Sequence, residues 1–268
     1  RQISNHRFIL GLGLGHKHMV EEIHGIPFEN SIDRIREMVT AVRRILEKEE
    51  GVNFEGKYYS LKSATLGKLN EKTNVPIYLA GLRPKMLQLA GEIADGVLMN
   101  WASPSYMKTA IEWIKKGAEA VGRSISSIEI ACYVRVMVTD QPKTALPSLR
   151  RLIARYTFMD NYRKFFEMMG YREEVGKIVK EWKDNGKEAA EKAVSMSMIQ
   201  DIAIVGSAQY CKEEINKIYS WGIQKPIIAP FAGVIGKRGI SGSSLGSENT
   251  IILTLDDSRK ILCDLKIP

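Results

Sequence analysis

The stretch from Val75 to Trp101, VPIYLAGLRPKMLQLAGEIADGVLMNW, changes its hydrophobic period twice. Val75 to Ala80 is a short apolar run rich in β-formers, with Pro76 at its start and Gly81 at its end, and it predicts a strand. Pro84 fits the first position of a helix, where its missing N–H costs nothing. Met86, Leu87, Leu89, Ala90 and Ile93 then recur at helical spacing. Asp95-Gly96 is a turn, and Val97 to Met99 open a second strand. A helix of about ten residues suits a right-handed crossover between parallel strands. Gly81 to Lys85 therefore lies between the carboxyl end of a strand and the amino end of a helix. Parallel α/β folds bind anions and place active sites at such turns.

The same reading extends along the chain. Arg7 to Gly15, RFILGLGLG, predicts a strand running into a glycine-rich turn. It is not a dinucleotide fingerprint, because Met19 to Pro27 interrupts the expected passage into a helix. A helix capped by Asn30 or Ser31 follows, with Ile32, Ile35, Met38, Val39, Val42, Ile45 and Leu46 on its buried face. Arg34, Arg36, Arg43 and Arg44 are expected mostly on the solvated side. Val52 to Leu61 alternates around Glu55-Gly56 and predicts a small β-hairpin or an extended excursion rather than a sheet strand, and Lys62 to Asn74 a polar connection. Ser103-Pro104 starts a helix to about Val121, with Ile111, Ile114, Ala118 and Val121 inward. Ile128 to Thr139 predicts an alternating strand.

Residues 141–197 carry no strand signal and break at Gly170 and Gly186, so a helical insertion is expected there. Its aromatics, Tyr156, Phe158, Tyr162, Phe165 and Phe166, read as core or interface. Helix is expected from Ser207 to Gly222, and Pro226 to Phe231 as the last strand. The tail beyond is loop-like, with a short helix or strand. Helices separate parallel strands throughout, which defines an α/β protein. Five such strands do not close an eight-stranded barrel. Either the sheet is open or three βα units are absent from the amino terminus, and the chain is expected to form a single domain over 1–268.

Composition adds little: 44% hydrophobic and 26% charged residues are ordinary for a globular chain. The net charge of +8 allows either a solvated basic surface or an anionic, phosphate-bearing cofactor. No helix-turn-helix, zinc-finger or RNA-binding signature accompanies it, so no nucleic-acid partner is expected. Cys132, Cys211 and Cys263 are widely spaced, with no CxxC pair, which argues against a disulfide framework or a metal site. A reducing, cytoplasmic setting is expected. No apolar run approaches the ~20 residues of a membrane span, and no signal peptide is visible. The chain opens on Arg1 and enters a strand within a few residues, as if its natural amino terminus were missing.

Six segments in order, RFILGLGLG, FENSIDRIREMVTAVRRIL, FEGKYYSL, the Val75–Trp101 unit, IEWIKKGAEAVGR and IVGSAQYCKEEINKIYSWGIQKPIIAPF, resemble the bacterial luciferase-like superfamily. The resemblance covers roughly residues 7 to 232. It points to the branch of deazaflavin (coenzyme F-420) dependent oxidoreductases related to methylenetetrahydromethanopterin reductase. The AGxxPKMLxLAGExADGV pattern is its specific part. The resemblance implies a TIM (β/α)8-type barrel with a late helical insertion, in which Phe8–Gly13 is the fourth strand and the first three βα units are lacking. Those units would carry an early acidic or histidine residue and the bulge that bends the cofactor ring.

By the same resemblance Gly13, Leu14 and Gly15 border the cofactor. His16 aligns with an acid that acts as proton donor, work an imidazole also does. Ala80, Gly81, Leu82, Arg83, Pro84, Lys85 and Met86 match the segment that holds the cofactor phosphate. Asn100 and Trp101 end a strand at the functional face and line the substrate pocket. Arg135 is out of place in an apolar strand and needs an anion, from cofactor, substrate or an ion pair. Asp95 precedes a strand and reads as a turn residue on the stability face. The expected activity is hydride transfer between reduced coenzyme F-420 and a small organic substrate, in a chain that associates into homo-oligomers. The alternatives are an FMN-dependent monooxygenase of the same fold, a non-catalytic barrel fragment, and, on charge alone, a nucleic-acid binder.

Overall fold

The computed structural model describes residues 7–47, 51–67, 75–230 and 253–254. Elements follow in the order β1 (Leu10–Leu12), a π-helical turn (Met19–Ile23), α1 (Ser31–Glu47), β2 (Val52–Glu55), β3 (Ser60–Ala64), β4 (Ile77–Ala80), α2 (Pro84–Ile93) and β5 (Gly96–Asn100). Then come α3 (Pro104–Ala120), β6 (Glu129–Val138), α4 (Leu146–Thr157), α5 (Asp160–Met168), α6 (Arg172–Asn185), α7 (Lys187–Ala193) and α8 (Met196–Ile202). The described chain closes with β7 (Ala203–Gly206), α9 (Ala208–Ser220), β8 (Lys225–Pro230) and β9 (Leu253–Thr254). The architecture is α/β and mainly parallel, as expected. Two compact units are present, Arg1–Leu98 with Ala110–Glu129, and Met99–Thr109 with Ile130–Pro268.

In the first unit β4 pairs in parallel with β1 on one side and with β5 on the other. The crossover from β4 to β5 is α2, whose Leu87, Leu89, Ala90 and Gly91 are buried. Glycine sets how closely it packs on α3. A Cβ at Gly117 would lie 1.9 Å from the Gln88 carbonyl oxygen, and one at Gly91 2.1 Å from that of Ile114. Arg123 donates to the carbonyls of Gly91 (3.0 Å) and Ala94 (2.8 Å), satisfying the C-terminal acceptors of α2. Asp95 is structural, as its position before a strand suggests. Its carboxylate accepts the Ile77 N–H at 2.8 Å and the Arg43 guanidinium at 2.9 Å, fixing the start of β4.

The hairpin of β2 and β3 packs on α1 through Val52 and Phe54 against Ala41, with Ile45, Tyr59 and Leu61 around them. Its turn hangs on one side chain: Glu37 accepts the N–H groups of Lys57, Tyr58 and Tyr59 at 3.1, 2.8 and 2.7 Å. The α1 arginines lie mostly on the solvated side, as expected, with Arg36 and Arg44 exposed and Arg34 and Arg43 half-buried, and each is also engaged. Arg36 pairs with Glu92, Arg43 holds Asp95, and Arg34 and Arg44 stack on Tyr58 and Phe54. Val121, expected inward, is 52% exposed, because α3 has ended at Ala120 and Gly122 turns the chain away.

In the second unit β6 pairs in parallel with both β7 and β8, and β8 pairs antiparallel with β9. β6 was expected to alternate. Instead Ile130, Ala131, Cys132, Val134, Arg135 and Val136 are all buried, because a strand paired on both edges and covered on both faces has no solvent side. Residues 141–197 are helical, as their lack of strand signal suggests, with α6 ending where Gly186 adopts φ 85°. Their aromatics form core: Tyr156, Tyr162, Phe165 and Phe166 are buried, and Phe165 meets Tyr106 edge-on at 5.0 Å. Phe158 is half-buried against Trp182. β7 has no counterpart among the expected strands. Most of the expected tail, 231–252 and 255–268, lies outside the described residues.

Candidate active site

Two groups of the expected site residues are each brought together, one in each unit. In the first, Leu12 of β1 is in register with Leu79 of β4, so Gly13 and Ala80 leave their strands side by side. A Cβ at Gly13 would stand 3.1 Å from that of Ala80, a tight contact that favours glycine there. The chain then turns through Gly15 at φ 70°, and the His16 carbonyl accepts the Val20 N–H at 3.0 Å to begin the π-helical segment. Leu14 and His16 are half-buried, and burial lowers the His16 pKa below its ordinary 6.5. Its imidazole is therefore mainly neutral at pH 7, better suited to take up a proton than to give one.

Beside this loop, β4 runs into α2. Gly81 is buried and donates its N–H to the Leu98 carbonyl at 3.1 Å, while a Cβ there would meet Leu87 at 3.1 Å. Arg83 is the N-cap in extended backbone, no side chain caps the helix, and Pro84 opens it. The first free N–H groups of the helix are those of Lys85 and Met86, because Leu87 already bonds to the Arg83 carbonyl at 3.0 Å. No acidic residue stands in the first turn. The helix's own first turn thus supplies no counter-anion to the positive end of its dipole, while Lys85 is exposed and Arg83 half-buried beside it. The donor set fits an anionic group such as a phosphate.

The second group is Asn100, Trp101 and Arg135. Trp101 ends β5 with a left-handed backbone, φ 59°, and is 1% exposed. Such a conformation at a bulky residue costs of order 1–3 kcal/mol and persists only where its surroundings hold it. Arg135 stacks its guanidinium over the Trp101 ring, 4.3 Å from the centroid, and Tyr156 meets that ring edge-on at 5.3 Å. Asn100 donates its amide to the Tyr162 hydroxyl at 2.8 Å. Burial, and then Tyr156, push the Tyr162 pKa up to about 12; burial pushes the Cys132 thiol up to about 11.

Tyr162 and Cys132 were not among the expected site residues. The bond from Asn100 to Tyr162 spans 62 residues, and no local pattern marks it. Among the described residues no group of three or more His, Cys, Asp and Glu is placed to hold a metal ion, and no helix is long and apolar enough to cross a membrane.

Known proteins share this pattern of sequence and fold. The chain is 29% identical over 244 residues to the 5,10-methylenetetrahydromethanopterin reductase of Archaeoglobus fulgidus, covering 89% of this chain and 72% of that one. It is 33% identical over 148 residues to the F-420-dependent glucose-6-phosphate dehydrogenase of Kineococcus radiotolerans, across 54% of this chain and 43% of the relative. Among solved structures, the coenzyme F-420 dependent tetrahydromethanopterin reductase of Methanopyrus kandleri superposes with a TM-score of 0.68 at 23% identity. That match covers 85% of this chain and 69% of that one, and it shows a shared fold. The sequence model of the luciferase-like monooxygenases matches residues 1–225, and the chain belongs to that family.

Proposed function

We propose that this chain is a deazaflavin-dependent oxidoreductase, transferring a hydride between reduced coenzyme F-420 and a small organic substrate of the kind handled by methylenetetrahydromethanopterin reductase. The observation that carries the reading is the uncapped amino terminus of α2, set beside the glycine turn after β1. The sugar-phosphate dehydrogenase named above supports the choice of cofactor by its name.

When bound, the deazaflavin supplies the hydride chemistry. The chain supplies position and protons. The Lys85 and Met86 N–H groups, with the charges of Arg83 and Lys85, hold the cofactor phosphate, and Ala80, Gly81, Leu82 and Pro84 shape the backbone that presents them. Gly13, Leu14 and Gly15 border the cofactor, where side chains larger than hydrogen at the two glycines would intrude. His16, neutral at pH 7, takes up or returns one proton as the substrate changes oxidation state. Asn100, Trp101 and Arg135 receive the substrate.

Titrating the protein with reduced coenzyme F-420 and, separately, with reduced FMN tests the reading. Saturable binding of the deazaflavin, weakened in Lys85→Ala, is expected. Preferential binding of FMN replaces the reading with that of a flavin monooxygenase, and binding of neither removes it.

A further inference from the structure

Arg135 is a buried cation with no counter-ion among the described residues. It is 9% exposed, its Nη1 has no hydrogen-bond partner, and no carboxylate among the described residues pairs with it. Its contact is the Trp101 ring face at 4.3 Å. A buried charge normally has an ion pair or a full set of hydrogen bonds. The two acidic protons nearby offer no anion: burial holds both the Tyr162 hydroxyl and the Cys132 thiol protonated at neutral pH.

Two further polar atoms in the same cluster also lack partners, the Trp101 indole Nε1 and the Asn100 Oδ1. Indole N–H is a donor only, and guanidinium carries donors only. Asn100 adapts to either need. If its amide turns over, Tyr162 donates to Oδ1 and the Asn100 Nδ2 becomes a third donor for an incoming group. Asn100 is half-buried while Trp101 and Arg135 are buried, so a ligand reaches the cluster from the asparagine side.

We infer that Arg135, Trp101 and Asn100 form a carboxylate-binding site that takes the anionic end of the substrate. As the substrate's end of the reaction the site rests on the oxidoreductase reading; as a place for a carboxylate it stands on its own geometry. One cation, with no second lysine or arginine in the cluster among the described residues, matches a monoanion. The planar fork of a guanidinium fits two carboxylate oxygens, and the indole N–H adds a donor beside it. No bond is made or broken at this site; its work is to orient the substrate.

The test uses benzoate as the probe on the whole chain, followed by thermal shift and by isothermal titration, with inorganic phosphate and chloride as comparison ions. Benzoate is expected to bind saturably and raise Tm, and Arg135→Met to weaken it about ten- to a hundredfold. Without ligand, Arg135→Met is expected to keep or raise Tm, because it removes an unpaired buried charge. Trp101→Phe, which keeps a ring and removes the N–H, weakens benzoate severalfold and serves if Arg135→Met does not fold. Equal benzoate affinity in these variants and the parent overturns the proposal, as does the absence of binding. Equal binding of chloride or phosphate overturns the carboxylate assignment. A large loss of Tm in ligand-free Arg135→Met overturns it as well, since that marks an arginine holding the fold. The deazaflavin titration is a separate measurement on the parent chain, so either reading fails without the other.

Discussion

His16 sits half-buried where the β1 turn passes into its π-helical segment, and burial moves its pKa below 6.5. If it moves the proton, kcat/KM falls as pH drops through that lowered value, because the imidazole becomes charged and no longer accepts. His16→Gln is expected to lose about 10²-fold in kcat and to abolish that acid limb; an unchanged pH profile removes its role. Asp95 belongs to a different kind of residue. Asp95→Ala strips the Ile77 N–H of its acceptor and leaves Arg43 only the Ile93 carbonyl, and is expected to cost about 1–3 kcal/mol in urea unfolding. The cofactor titration of that variant should match the parent. The Asp95-Gly96 pattern marked a turn before a strand. That its carboxylate also accepts from Ile77 at the start of the preceding strand and from Arg43, 52 residues away, is not written in that pattern.

Elements in this chain are held by few and specific close approaches. The α2–α3 contact admits no Cβ at Gly117, so Gly117→Ala is expected to destabilise by about 1–3 kcal/mol or more, read as a lower urea midpoint at unchanged slope. The hairpin turn is an electrostatic attachment. Burial raises the Glu37 pKa, but the N–H groups of Tyr58, Tyr59 and Lys57 outweigh it and leave the pKa below its ordinary 4.5. A carboxylate with a depressed folded pKa contributes stability above its unfolded value, and that contribution is lost as pH falls through the folded one. The hairpin amides should therefore exchange faster with deuterium as pH drops below about 4.5, after correction for intrinsic rates. In Glu37→Gln that pH dependence should vanish. Periodicity found α1, α2, α3 and α9 because each repeats its pattern over several turns. It missed β7 because Ala203–Gly206 follows Ile202 of α8 directly, leaving four residues and no turn signal to separate strand from helix.

At the scale of the whole molecule, the charge of +8 and the uncapped α2 terminus both favour an anionic cofactor. Deazaflavin affinity is expected to fall as ionic strength rises, since an exposed lysine is screened over roughly 8 Å at physiological salt. Saturating cofactor should raise Tm by mass action, and Lys85→Ala should reduce both effects. The sequence by itself determined the α/β class, the strand–helix units at β4–α2–β5, the helical run over 141–197 and the family, because periods, caps and motifs are written in neighbouring residues. Only tertiary structure decided that Gly13 meets Ala80, that the α1 arginines are engaged, and that Arg135 lies buried on Trp101 with no carboxylate paired to it among the described residues. Those facts depend on which strands pair and in what register. A single residue's shift of register would turn Arg135 to the opposite face of its strand, while leaving every local pattern in the sequence unchanged.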